Sequence, residues 1–154
     1  MMPDYEVRRV GRDELTLMDD LLGLFGEVFG QPDVYGNQRP GAAYMRRLLG
    51  GDTFVALVAE QDGVVVGGLA AYELIKFEQE RSEMYIYDLA VAETCRRRGV
   101  ATALIEALKG IAAARGAWVI YVQADTGPED EAAIALYSRL GVREEVLHFD
   151  IPVT

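Results

Sequence analysis

Three consecutive arginines and a glycine join a segment that favours a β-strand to a segment that favours an α-helix. The strand is predicted over Ser82–Val91, where β-branched and aromatic residues recur. The helix is predicted over residues 98–115, where apolar residues recur every three or four positions. The first backbone N–H groups of a helix have no partner within it, and the helix dipole adds positive charge there. The junction therefore predicts an α/β protein with an anion site, suited to phosphate, where the strand meets the helix.

The connecting loop has side chains that fit phosphate. Gly99 lets the backbone approach a ligand closely, and Arg96, Arg97 and Arg98 add positive charge and forked donors that match phosphate oxygens. The same four residues would also make a basic turn that only caps the helix. For the loop in isolation, this second interpretation is the simpler one.

The other segments predict helices and strands in an order that differs from a repeated β-α-β unit. Further strands are predicted over residues 7–10, in the two arms of a hairpin within 53–75, over 117–124, and over 144–151, which would close the sheet. Further helices are predicted over residues 13–29, 44–49 and 128–140, with a loop over 30–41. This order predicts one mixed α/β domain spanning residues 1–154.

The net charge indicates which classes of binding partner to expect. The chain has 25 acidic and 15 basic residues, which gives a net charge of −10. Nucleic-acid-binding surfaces usually carry the opposite sign, so no nucleic-acid partner is expected. An acidic surface aids solubility, and it would also attract a polycationic substrate into a cleft lined by carboxylates. The charge alone does not choose between these two roles.

The number of cysteines and the N-terminal residues indicate the cellular compartment and the absence of a metal site. Cys95 is the single cysteine, which excludes an internal disulfide and a cysteine-based zinc site, and His148 adds no credible metal set. The first ten residues contain no long apolar run, so neither a signal peptide nor a membrane span is expected. We therefore expect a cytoplasmic protein without a bound metal.

The junction is similar to the coenzyme A signature of the GNAT acetyltransferase superfamily. That signature is Q/R-x-x-G-x-G/A after a strand, and Arg96, Gly99 and Ala101 fill it. The resemblance implies a GNAT-type α/β fold, with a mixed, mostly antiparallel sheet flanked by about four helices. It also implies a V-shaped splay between the strands Ser82–Val91 and 117–124.

The same resemblance implies acetyl-CoA as the co-substrate. The amides from Arg97 to Thr102 would bind the pyrophosphate, and backbone groups of Leu89 and Val91 would pair with the pantetheine arm like an added strand. The full set of residues implied for acetyl-CoA is Leu89, Ala90, Val91, Arg96, Arg97, Arg98, Gly99, Val100, Ala101 and Thr102.

Three longer strings of the sequence indicate which acceptor molecule the enzyme would acetylate. The strings AAYELIKFEQERSEMYIYDLAV, IYVQAD and REEVLHFDI resemble the type I aminoglycoside 3-N-acetyltransferases. This resemblance implies acetyl transfer to the 3-amino group of gentamicin-type aminoglycosides, which confers resistance. The implied partner is a cationic small molecule, with neither nucleic acid nor membrane involved, and a homodimer is an assembly that the resemblance allows.

Tyr137 is the candidate general acid. It lies in the last predicted helix, at the position where the phenol in the superfamily meets the sulfur of coenzyme A. The spacing of Tyr137 from Ile134 and Leu140, three residues each way, also fits an aromatic on the core face of the helix.

Three carboxylates are candidates for the general base that removes a proton from the acceptor amine. Glu83 shares strand parity with Tyr85 and Tyr87, on the face that borders the cleft in the superfamily. Asp88 has the opposite parity, but a bulge, usual at this point in the superfamily, would re-aim it; Asp88 also fits a structural role. Asp125 ends a predicted strand beside the expected acetyl site.

Two other functions compete with this interpretation. The first is a GNAT enzyme for another amine, such as a polyamine or a protein N-terminus, and a polyamine would share the acidic cleft. The second is a non-catalytic acetyl-CoA sensor with a degraded acceptor site, against which the presence of Tyr137, Glu83 and Asp125 argues. A panel of acceptor amines separates the first alternative, and a turnover assay separates the second.

Overall fold

Five strands of the described residues form one sheet, in which they lie in chain order. The structure is a computed structural model that describes residues 4–154. Residues 1–3 lie outside this range. They include the start of the expected domain, and they are part of the stretch in which no signal peptide is expected. The strands are β1 (Glu6–Arg9), β2 (Phe54–Gln61), β3 (Val64–Ile75), β4 (Ser82–Val91) and β5 (Ala117–Val122).

The first four strands pair antiparallel, whereas β5 pairs parallel to β4. The turn between β2 and β3 has left-handed backbone at both Asp62 (φ 51°) and Gly63 (φ 79°). Two such residues in succession match the right-handed twist of a hairpin, which is why an Asp-Gly pair forms the turn here. The prediction of a mixed, mostly antiparallel sheet is confirmed.

Five α-helices accompany the sheet within residues 4–154, against about four expected. They are α1 (Leu15–Val28), α2 (Pro32–Gly36), α3 (Ala42–Leu49), α4 (Val100–Ala114) and α5 (Glu131–Leu140). The additional helix, α2, lies within the predicted loop 30–41. Pro32 starts it, because proline suits the first turn of a helix, where its missing N–H needs no partner.

Two adjacent glycines in β3 allow α1 and α4 to pack closely. A Cβ on Gly68 would lie 2.2 Å from Leu21 of α1, and a Cβ on Gly67 would lie 2.7 Å from Val100 of α4. Successive residues of a strand point to opposite faces of the sheet. The two helices therefore cover opposite faces of β3, where the middle of α1 and the start of α4 pack against the strand.

The chain divides into two compact units, one that ends at Val122 and one over Gln123–Thr154. The second unit contains α5, and a short 3-10 helix over Pro128–Asp130 precedes it. The predicted helix 128–140 is therefore present, with its first turn in the tighter form.

The predicted strand over residues 144–151 is wrong. These residues form neither helix nor strand, and Val146, Leu147, Phe149 and Ile151 are exposed. A strand needs a neighbouring strand to pair with its backbone groups, and the second unit contains none. Alternating apolar residues express only an intrinsic preference, which is insufficient without such a partner.

No helix among residues 4–154 combines the length and the apolar character that crossing a bilayer requires.

Candidate active site

The parallel strands β4 and β5 separate before β4 ends. Their pairing runs from Ser82, opposite Ala117, to Ile86, opposite Val122. Pairing of β4 with β3 continues on the other side as far as Val91. Residues 87–91 of β4 therefore have an edge that no described strand pairs with. This is the V-shaped splay that was expected, and a strand edge of this kind can pair with an extended ligand. The carbonyl of Val91 at this edge already accepts a hydrogen bond from Arg96.

Helix α4 begins where the loop after β4 turns back on itself. Gly99 is its N-cap, with φ of 80°, and no side chain caps the helix. Arg97 also has left-handed backbone, with φ of 63°, which is uncommon for a residue other than glycine. The amides of Val100, Ala101 and Thr102 in the first turn are the ones that lack a partner within a helix. The start of α4 thus has the uncapped N–H groups that bind anions at helix N-termini in general.

The three arginines of the loop have different surroundings. Arg98 pairs with Asp4 and donates to Gln61 at 3.4 Å. Arg96 donates through Nε to the carbonyl of Val91 at 3.3 Å, which connects the loop to the end of β4. Arg97 makes no ion pair with any residue that the structure describes. Arg96 makes no ion pair with a described residue either, so both guanidinium groups keep donors of the kind that match phosphate oxygens.

A β-bulge in β4 reverses the face to which Asp88 points. Ala70 of β3 lies opposite Asp88, whereas Ala71 lies opposite Ile86, so Tyr87 is the extra residue. Ala90, two residues after Asp88, belongs to the core cluster that contains Leu21 of α1, but Ile86 is buried outside that cluster. The bulge predicted near Asp88 is confirmed, and it places Asp88 on the face that α1 covers.

Asp88 is a half-buried carboxylate with a hydroxyl partner. The phenol of Tyr35, in α2, donates a hydrogen bond of 2.9 Å to Oδ2 of Asp88. Burial raises the pKa of Asp88, and the hydrogen bond from Tyr35 lowers it in part. Burial and the adjacent carboxylate raise the pKa of Tyr35, so the phenol keeps its proton and remains the donor. A carboxylate with a raised pKa is suited to accept a proton near neutral pH.

Four tyrosines of β3, β4 and β5 form an aromatic surface, which we call the tyrosine cluster: Tyr72, Tyr85, Tyr87 and Tyr121. The rings of Tyr85 and Tyr121 stack with centroids 4.7 Å apart, and Tyr87 contacts Tyr72 and Tyr85 edge to face at 5.8 and 5.9 Å. Burial raises the pKa of Tyr72 and Tyr85, and the charge of Asp88 contributes in both cases. Tyr72 and Tyr85 therefore lie within electrostatic reach of Asp88. For Tyr121, burial and the charge of Glu83 raise the pKa instead.

Glu83 lies in a different environment from Asp88. It forms an ion pair of 2.9 Å with Lys76. It also belongs to the part of β4 that is paired on both sides, opposite Leu74 of β3 and Val119 of β5. Asp88 lies five positions after Glu83 along the strand, or about 16 Å. The structure thus places Asp88, and not Glu83, at the opening between β4 and β5.

The other two candidates, Asp125 and Tyr137, belong to the second unit. Asp125 is exposed, and its backbone N–H donates to the carboxylate of Asp130 at 2.7 Å. Tyr137 is half-buried on α5, and burial, with the charge of Asp130 adding to it, raises its pKa to about 12. A phenol with this pKa is protonated at neutral pH, as a proton donor must be.

Sequence reasoning missed Tyr35 and two members of the tyrosine cluster, Tyr72 on β3 and Tyr121 on β5. Tyr35 falls in the segment predicted as a loop, 53 residues before Asp88 in the chain. The chain contains eight tyrosines, and no sequence spacing connects the distant ones. Tyr72 and Tyr121 would have been found by aligning β3 and β5 with the tyrosines of β4, once the sheet order was known.

Among residues 4–154 there is no group of three or more histidine, cysteine, aspartate or glutamate side chains that could hold a metal ion.

Comparisons with known proteins agree with this geometry. The acetyltransferase (GNAT) family model matches residues 18–142. An aminoglycoside acetyltransferase, HMB0005, from an uncultured soil metagenomic sample is 65% identical, with a TM-score of 0.96 over 97% of this chain and 99% of that chain. A second one, meta-AAC0020, also from uncultured soil and in complex with sisomicin, is 28% identical, with a TM-score of 0.88 over 98% and 97% of the two chains.

A curated relative gives the same assignment. An uncharacterized N-acetyltransferase of Methanocaldococcus jannaschii is 30% identical over 148 residues, which is 94% of this chain and 63% of the relative. The chain thus spans less than two thirds of that relative's length. The family match covers most of the chain, including the splayed strands, the arginine loop and α4. The chain therefore belongs to the acetyltransferase (GNAT) family.

Proposed function

We propose that this protein transfers acetyl from acetyl-CoA to the 3-amino group of gentamicin-type aminoglycosides and thereby confers resistance to them. The observation that carries the proposal is the 65% identity, over nearly the whole of both chains, with an aminoglycoside acetyltransferase. The complex of meta-AAC0020 with sisomicin supports the same class of acceptor. The choice of the 3-amino group rests on the resemblance of residues 70–91, 120–125 and 143–151 to the type I 3-N-acetyltransferases. The whole chain would act as one catalytic domain in the cytoplasm.

The first unit contains features that fit acetyl-CoA. The unpaired edge at Leu89 and Val91 would receive the amide groups of the pantetheine arm as an added strand. The uncapped start of α4 at Gly99, with Arg97 beside it, would receive the pyrophosphate. When bound, acetyl-CoA supplies an acetyl group that is activated as a thioester.

Asp88 and the tyrosine cluster fit a polycationic acceptor. A carboxylate attracts an ammonium group directly, and aromatic faces attract cations through the negative potential of the ring. Asp88 supplies the first interaction, and the exposed Tyr87 and Tyr72 supply the second. The net charge of −10 would add a longer-range attraction for such a substrate.

Proton transfer divides between Asp88 and Tyr137 in this proposal. Asp88 would accept a proton from the acceptor ammonium, because only a neutral amine is a nucleophile. Tyr137 would donate a hydrogen bond or a proton to the sulfur that leaves. From ammonium to amide the acceptor nitrogen loses two protons, one before its lone pair attacks the thioester and one as the tetrahedral adduct collapses. The departing thiolate gains one proton, and the other is released to solvent. Glu83 and Asp125 remain alternative bases, although Glu83 is already paired with Lys76.

The test is a thiol-release assay with gentamicin, kanamycin, spermidine and a peptide as acceptors. We expect turnover with gentamicin and, by mass spectrometry and NMR, one acetyl group on its 3-amino nitrogen. Acetyl on another nitrogen contradicts the regiochemistry. Preference for spermidine or the peptide indicates another GNAT acceptor, and tight coenzyme A binding without turnover on any amine indicates a sensor.

The Michaelis constant for the aminoglycoside is expected to rise with salt. Attraction between carboxylates and a polycation weakens as the Debye length falls from about 10 Å at 0.1 M to about 3 Å at 1 M. We expect a larger relative rise for the drug than for acetyl-CoA, measured by steady-state kinetics over this range. An equal or opposite response would assign the acidic balance to solubility alone.

Gly99→Val is expected to weaken coenzyme A binding by about tenfold or more. Left-handed backbone costs a β-branched residue about 1–2 kcal/mol, so the loop must shift away from the conformation that presents its amides. Isothermal titration calorimetry measures the change. The matched control is Gly116→Val, because Gly116 has nearly the same φ, 81°, at the other end of α4. Unchanged affinity in a folded Gly99→Val protein contradicts the loop assignment.

A further inference from the structure

Tyr35 makes a long-range hydrogen bond to the candidate base. Its hydroxyl donates to Oδ2 of Asp88 at 2.9 Å across 53 residues of chain, and both groups are partly buried. The bond connects α2 to the bulged part of β4, where residues 87–91 lose their pairing with β5. A side chain from the segment between α1 and α3 thus reaches the centre of the proposed site.

The ring of Tyr35 is fixed by aromatic contacts with α1. Its centroid lies 5.9 Å from that of Phe25 and 6.0 Å from that of Phe29, and these two rings stack at 5.7 Å. A Cβ on Gly26 would lie 3.2 Å from Pro32 and 3.3 Å from the Tyr35 side chain, so α1 and α2 are in close contact there. The hydroxyl is therefore presented to Asp88 from a packed position.

The groups that face Asp88 are phenols. They come from α2 (Tyr35), β3 (Tyr72) and β4 (Tyr85). Helix α1 packs against this face with apolar residues of the core cluster. Among residues 4–154, the Tyr35 hydroxyl is the one group that lowers the pKa of Asp88 against the effect of burial. Removing the Tyr35 hydroxyl should therefore change the pKa of Asp88 in one direction, upward.

We propose that Tyr35 is a positioning residue, whose hydroxyl holds Oδ2 of Asp88 and leaves Oδ1 to interact with the acceptor amine. The inference rests on the proposed function in that Asp88 is taken as the base. A bonded carboxylate has a fixed orientation, whereas a free one rotates about its terminal torsion. The bond also keeps Asp88 ionised at a pH where burial alone would protonate it.

Burial raises the pKa of Asp88, and the hydrogen bond from Tyr35 lowers it. In Tyr35→Phe the ring and its contacts with Phe25 and Phe29 remain, but the hydrogen bond to Asp88 is lost. Because that bond lowers the pKa of Asp88, its loss raises the pKa further. A base acts only when ionised, so the acidic limb of kcat/KM should move to higher pH. At pH values above the limb, kcat/KM should fall by up to about tenfold, the usual effect of losing one hydrogen bond.

The experiment compares wild type and Tyr35→Phe by two readouts. The first is the pH dependence of kcat/KM with gentamicin. The second is NMR titration of ¹³C-labelled aspartate carboxyls without any substrate, in which Asp88→Asn identifies the resonance of Asp88. Tyr44→Phe is the matched control, since Tyr44 is an exposed tyrosine of α3 whose ring contacts Arg47. We expect both readouts to shift upward in Tyr35→Phe and neither to shift in Tyr44→Phe.

The two readouts separate this inference from the proposed function. An Asp88 resonance that titrates identically in wild type and Tyr35→Phe overturns the inference, whatever the acceptor is. Loss of thermal stability with an unmoved acidic limb also overturns it, because Tyr35 would then be only structural. A shifted resonance in a protein that acetylates no aminoglycoside retains the Tyr35–Asp88 pairing and rejects the acceptor instead.

Discussion

Replacing Asp88 by asparagine is expected to lower kcat for aminoglycoside acetylation by about 10²- to 10⁴-fold, the usual contribution of a general base. Asparagine keeps the shape of aspartate and can still accept the hydrogen bond from Tyr35, but it cannot take up a proton. The acidic limb of kcat/KM should therefore disappear in this variant. Coenzyme A affinity should change little, because Asp88 lies outside the arginine loop.

The competing bases provide the controls for this experiment. Glu83→Gln removes a carboxylate that is paired with Lys76, and Asp125→Asn removes an exposed one. We expect both variants to keep the acidic limb and to lose far less activity than Asp88→Asn. If the limb disappears in one of them instead, that residue is the base. If all three variants resemble wild type, solvent deprotonates the amine.

Most helices and strands were predicted correctly because the spacing of apolar residues and the turn-forming residues are local features of the sequence. β4 has the predicted bounds, Ser82–Val91, and the β2–β3 turn occupies Asp62 and Gly63. The start of α4 was predicted within two residues, since Gly99 ends the loop in left-handed backbone. These features depend on neighbours in the chain, which a sequence presents directly.

The face of Asp88 could not be derived from strand parity. Simple alternation places Asp88 with Met84 and Ile86, on the opposite face from Tyr85. The bulge at Tyr87 reverses this order, and it depends on the register between β3 and β4, which only the assembled sheet determines. The resemblance to a family with a bulge here supplied the information that periodicity lacked.

The strand predicted over residues 144–151 failed for a related reason. Its alternation of apolar residues is real, and those side chains are exposed in the structure. Whether such a segment becomes a strand depends on a pairing partner that lies elsewhere in the chain or outside it. Tyr35 was missed similarly, because its role is defined by Asp88, 53 residues away. Non-local pairing was thus the common limit of the sequence-based predictions.

Tyr137→Phe is expected to lower kcat by about 10²- to 10⁴-fold while leaving coenzyme A affinity nearly unchanged. The substitution removes the hydroxyl that would stabilise or protonate the departing thiolate, and it leaves the arginine loop intact. With a pKa raised to about 12, Tyr137 keeps its proton throughout the range from pH 6 to pH 10. A proton donor loses activity only as the pH rises through its pKa. We therefore expect wild type and Tyr137→Phe to have parallel pH profiles over this range.

The measurements that check Tyr137 are kcat across that pH range, calorimetric coenzyme A affinity and thermal unfolding. Because phenylalanine keeps the ring on the half-buried face of α5, the free energy of unfolding should change by less than about 1 kcal/mol. Near-normal kcat together with reduced stability would assign Tyr137 to packing between Ile134 and Leu140 instead. Persistence of the acidic limb in Tyr137→Phe, and its loss in Asp88→Asn, would establish that the two residues act on different protons.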